Sequence, residues 1–216
     1  MNYFAHGREF IDDPYFLAGT AVPDWLSVVD RRVRVRAIPA KELADDGDSR
    51  IAAVASGIVR HHCDDAWFHE TRAFGELCWQ FTAAARDVLG PDDSMCPSFL
   101  GHILVELLLD DVMIRREPAR LSAYYEAIES VDPSVVEQAV RSISRRPCDQ
   151  LSTFIAIFCR ERFLNDYAED GKLVFRLNQV MSRVGLPQLP DKFTQFLPLA
   201  RRRVTERADE LLTPPH

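Results

Sequence analysis

Apolar residues recur at three- and four-residue spacing along nearly the whole chain, the pattern of helices that bury one face. Only Val33 to Ile38 (VRVRAI) alternates with period two, and that stretch is short for a strand. The spacing predicts helices at about 9–17, 24–31, 49–69, 70–89, 97–115, 118–128, 132–145, 149–168, 171–184 and 192–211. The breaks have physical causes. Gly90-Pro91 ends one helix, because proline lacks the donor and clashes with the preceding turn. Asp132-Pro133 reads as an N-cap followed by proline at the first helical position. Gly185, Pro187 and Pro190 break the chain before the last helix, and 40–49 reads as a polar surface loop. The expected fold class is all-α, a single-domain helical bundle over 1–216. Residues 1–115 would carry the functional core and 116–216 an additional helical layer.

Composition narrows the function classes. With 47% apolar residues in 216, the chain has enough to bury a core. A formal charge of −7 argues against broad nucleic-acid binding. There is no run of about 18 apolar residues, so no membrane span is expected. MNYFAHGREF lacks the basic start and apolar stretch of a signal peptide, which makes the cytoplasm the expected compartment. Cys63, Cys78, Cys96, Cys148 and Cys159 form no CxxC pair and read as reduced thiols. Arg31, Arg32, Arg34 and Arg36 form one basic stretch and Arg201 to Arg203 another. Such runs are usually solvated faces; the functional alternative is docking of a phosphate or an acidic partner.

The chemistry collects around histidine. Apart from the terminal His216, every histidine lies in the first 102 residues, and three fall within GIVRHHCDDAWFHE. On a helix His61 and Asp65 share a face, and His69 continues that line two turns after His61. In SFLGHILVELLLDDV, His102, Glu106 and Asp110 form a second stripe on a helix that is apolar nearly all round. Buried ionisable groups are costly unless paired or metal-bound. A shared metal site would account for all of them, and imidazole with carboxylate suits Mn, Fe or Zn. The simpler reading is a set of hydrogen-bonded core pairs. No GxSxG or P-loop is present, and adjacent His62 and Cys63 point about 100° apart on a helix, a poor nucleophile–base pair.

These residues resemble the acyl-carrier-protein phosphodiesterase family, within the HD-type helical metal phosphohydrolases. The family opens with MN[YF]LAH, matched by Met1-Asn2-Tyr3-Phe4-Ala5-His6. Its G-N-x-x-x-D element corresponds to Gly19 through Asp24, with Thr20 for Asn. G-I-x-x-H-R-R-I-D corresponds to Gly57 through Asp65, and a D-H-F-L element to Gly101-His102-Ile103-Leu104. The resemblance covers about the first 115 residues. It departs where His62 and Cys63 replace the paired arginines, where His69 replaces an acid, and where Gly101 replaces an aspartate.

The resemblance implies an HD-like fold and one or two divalent ions on His6, Asp24, His61, Asp65 and His102. Glu106 would be either a further ligand or a carboxylate orienting a ligating imidazole. His62 or His69 would protonate the leaving alkoxide, while Arg60 or the Arg31–Arg36 stretch, with Arg31 and Arg32, would hold phosphate oxygens. The implied substrate is a phosphodiester or phosphomonoester, with phosphopantetheine release from acyl carrier protein as the specific case. The His102–Glu106 spacing also resembles a ligand pair of zinc-dependent phospholipase C enzymes. The competing class is a non-catalytic helical interaction module keeping a structural or relic metal site. A di-iron redox protein ranks below both, because ExxH does not occur.

Overall fold

The computed structural model describes residues 1–90 and 93–214, so Pro91 and His216 lie outside the described residues. No strand occurs among them. The helices are α1 (Tyr3–Gly7), α2 (Pro14–Val29), α3 (Ala37–Leu43), α4 (Ser49–Glu70), α5 (Arg72–Leu89), α6 (Pro97–Arg116), α7 (Pro118–Glu129), α8 (Pro133–Ser144), α9 (Leu151–Glu161), α10 (Asp170–Arg183) and α11 (Leu197–Leu211). Single 3₁₀ segments occupy Asp93–Met95, Phe163–Ala168 and Asp191–Phe196.

Capping explains several boundaries. Asp13 accepts from the amide of Phe16 at 3.2 Å and opens α2, with Pro14 at its first position. Thr71 caps α5, and Asp132 caps α8 by accepting from Ser134 at 2.9 Å, with Pro133 following as expected. α5 ends at Gly90, whose φ of 98° suits a residue without a Cβ.

The chain folds as two compact units, Met1–Ala66 with Glu117–Arg162, and Trp67–Arg116 with the residues from Phe163 onward. Residues 117–162 thus join the first unit and the rest of the C-terminal half joins the second. In the first unit, aromatic rings close the core: Phe4 meets Tyr124 edge-on at 5.8 Å, and Trp25 meets Phe158 at 5.4 Å. In the second, α6 lies against α5 and α11, and its residues from Leu104 to Met113 are all buried.

Three departures from the sequence reading have local causes. The segments 9–17 and 24–31 are replaced by one continuous helix, α2, which carries Pro23 inside it. Gly19 lies within α2 at a close approach: a Cβ there would stand 2.2 Å from the Val54 carbonyl oxygen, and one at Gly57 would stand 2.1 Å from that of Phe16. The two glycines let the backbones of α2 and α4 touch. Ala40 to Leu43, expected in a loop, belong to α3. Residues 33–36 form neither helix nor strand: Val33 and Val35 are buried, Arg34 and Arg36 exposed.

Candidate metal centre

The first unit places three predicted ligands together. α1 carries His6, and α4 carries His61 and Asp65 one turn apart. Their nitrogen and carboxylate donor atoms lie within 4.8 Å of one another. His6 Nε2 stands 3.2 Å from Asp65 Oδ1, and His61 Nε2 stands 3.4 Å from Asp65 Oδ2. The two imidazoles stack, with centroids 4.0 Å apart. Both histidines are buried, whereas the Asp65 side chain is 31% exposed and forms the open edge of the site.

The close crossing at Gly19 and Gly57 sets this geometry. It carries the Thr20 carbonyl against His61, which donates to it from Nδ1 at 2.8 Å. A carbonyl can only accept, so Nδ1 holds a proton and Nε2 is the ring nitrogen that faces Asp65, donating to the carboxylate when protonated and free to ligate a cation when not. Asp24 lies one turn further along α2. Its Oδ2 is buried without a hydrogen-bond partner, as are both ring nitrogens of His6. Burial pushes the Asp24 carboxyl above its ordinary range, against the pull of His61 and His6. Burial also disfavours charge on His61, but the Asp65 hydrogen bond and the charges of Asp24 and Asp65 leave its pKa raised. Asp65 is held well below the usual carboxylate range, burial being outweighed by its contacts to His6 and His61.

Sequence reasoning missed three contributors. The Met1 amino nitrogen lies 2.7 Å from Asp65 Oδ1. The Thr20 carbonyl was invisible because backbone atoms carry no signature. Asp64, absent from the predicted ligand set, is buried, binds Arg60 Nε at 2.8 Å and lies 3.7 Å from His6 Nδ1. Its spacing four after Arg60 was the available signal.

The remaining predicted residues are distributed differently. His62 donates from Nε2 to the Val35 carbonyl at 2.8 Å, and burial lowers its pKa. It therefore ties down the 33–36 segment and is poorly suited to carry a second proton near neutrality. Arg32 is exposed and chelates Asp30 through Nε and Nη2, both at 3.0 Å. Arg31 is exposed, as is Cys63. His69, His102 and Glu106 form a separate group within the second unit. Arg115 pairs with Asp111 at 2.9 Å. Arg201, from the C-terminal basic run, joins the same Asp111 and also Asp170, so this arginine is structural. Trp25 is a core aromatic.

The donor set suits a borderline divalent cation: two imidazole nitrogens, the Asp65 carboxylate and the adjacent Asp24, with buried polar atoms left unpartnered. No helix among the described residues is long and apolar enough to cross a membrane. No family model matches the chain, and neither a curated protein nor a solved structure matches it.

Proposed function

We propose that the chain is a metal-dependent phosphoesterase of the HD-like helical type, with His6, His61, Asp65 and Asp24 holding a Mn, Fe or Zn ion. The observation that carries this reading is the orientation of His61: its Nδ1 proton is fixed on Thr20, so Nε2 converges with His6 on one carboxylate. Metal-ligating histidines are characteristically oriented in this way. A bound ion would lower the pKa of a water and polarise phosphoryl oxygens, the chemistry phosphoester hydrolysis needs. Asp65, at the open edge, is the member nearest an incoming substrate. Arg60 is half-exposed and steadied by Asp64, so its remaining donors are available for non-reacting phosphate oxygens. No side-chain general acid is assigned, since His62 is committed to Val35.

The test is hydrolysis of bis-p-nitrophenyl phosphate and of phosphopantetheine-bearing acyl carrier protein, with each candidate metal supplied. Metal-dependent turnover that falls more than about 100-fold in Asp65→Asn supports the reading. Release from acyl carrier protein alone would fix the substrate as the specific case. A second reading, a non-catalytic module, draws on Asp65 already having three nitrogen neighbours, Met1, His6 and His61. It predicts no turnover of any phosphoester.

A further inference from the structure

The second unit holds its own convergence of donors. His102 and Glu106 stand one turn apart on α6, and His69 comes from the last turn of α4. Both imidazoles direct Nε2 at the same carboxylate oxygen, Glu106 Oε1, each at 3.2 Å. The donor atoms of all three residues lie within 4.8 Å of one another. With zinc–nitrogen and zinc–oxygen bonds of about 2.0–2.1 Å, donors on a tetrahedron stand about 3.3 Å apart. Two such edges are therefore already present.

The rings are not free to wander. Phe74 packs on both, with centroids 4.8 Å from His69 and 5.0 Å from His102, the latter edge-on at 88°. Thr71, by capping α5 through the Phe74 amide, turns the chain sharply after α4 and places that ring. Glu106 is nearly buried at 12% side-chain exposure, while His69 and His102 are 36% and 44% exposed. A cation can therefore reach the site from solvent. Gly101 has a packing role here: a Cβ would stand 2.7 Å from the Cys78 carbonyl oxygen, so α5 and α6 meet closely just before His102.

We propose that His69, His102 and Glu106 form a distinct divalent-cation site in the second unit, with zinc as the fitting metal and one coordination position open to solvent. A two-histidine, one-carboxylate set with three protein ligands matches zinc sites that keep an exchangeable position. This site does not depend on the first unit's residues or on phosphoesterase activity.

The experiment is titration of the full, chelator-stripped chain with Co(II), followed by its visible absorption, and with Zn(II), followed by bound equivalents. The first unit's site is disabled in one series by His61→Ala. That variant is expected to bind one equivalent and develop the intense absorption of four-coordinate cobalt. Adding His69→Ala or His102→Ala is expected to weaken this binding more than about 100-fold. In the chain with an intact first unit, His69→Ala/His102→Ala together is expected to remove one equivalent, which guards against misfolding of His61→Ala. Because both histidines are half-exposed, helical circular dichroism should be unchanged. Uptake unaffected by the His69 and His102 substitutions, in both series, would overturn the proposal and leave two imidazoles hydrogen-bonded to one carboxylate. Loss confined to His61→Ala would refute this site while upholding the first; the reverse pattern would do the opposite.

Discussion

His61 donates its Nδ1 proton to the carbonyl of Thr20 over 2.8 Å, and this one bond decides which face of the imidazole meets Asp65. It exists because α2 and α4 approach with no side chain between Gly19 and Gly57. The ligand geometry is thus a consequence of helix packing two glycines away from any chemistry.

Gly19→Ala and Gly57→Ala should each destabilise the fold by about 3 kcal/mol or more, since the new methyl meets backbone rather than a yielding side chain. Urea unfolding monitored by circular dichroism reads this directly. Metal affinity should fall in the same variants, because separating the helices withdraws Thr20 from His61. An unchanged midpoint would mean that the crossing is looser than 2.2 Å from Cβ to carbonyl implies.

In metal-free protein His61 and His62 should titrate on opposite sides of the ordinary imidazole value of 6.5. The raised pKa of His61 means that its contribution to stability is full below 6.5 and fades as pH rises through the raised value. The lowered pKa of His62 works the other way: stability is full above 6.5 and declines as pH falls toward the lowered value. Ring-proton NMR through the titration distinguishes the two. His62→Gln should remove the acid-side loss. Coincident titration of both rings would contradict the asymmetric burial.

Asp64→Ala should cost about 2 kcal/mol, because it strips Arg60 of a charge-assisted bond and removes a carboxylate from beside His6. Arg60→Ala should cost less, since Arg60 is half-exposed. Equal and negligible effects in chemical denaturation would place Asp64 outside the network that holds the site.

Much of the helical content could be read from apolar spacing, and α4 to α8 fall within two residues of expectation. The failures share a cause: a residue type with two physical uses. The gap expected between 17 and 24 holds Gly19 and Pro23, but the glycine serves close approach and the proline is carried within α2. VRVRAI shows the alternation of a strand because Val33 and Val35 do alternate inward, yet no neighbouring strand is among the described residues, and a histidine holds the backbone instead. α1 spans only five residues, less than two turns, too short to display a period.

The site was partly legible for the same reason. His61 and Asp65 advertise themselves by four-residue spacing, and His6 by resemblance to a family opening. What could not be read was the grouping. Four-residue spacing joins His102 to Glu106, but His69 lies on the line of His61 and Asp65, and nothing in spacing says that it gathers on Glu106 instead. Nor does any sequence signal mark a backbone carbonyl as the group that orients a ligand.

The most direct test of the account is elemental analysis of the His102→Ala chain, in which the second group is disabled, beside His61→Ala/His102→Ala. Near-stoichiometric Mn, Fe or Zn in the first and none in the second is the predicted result. Absence of metal from both, with no uptake when each ion is supplied, would contradict the central claim and leave His6, His61 and Asp65 as a hydrogen-bonded core of a helical module.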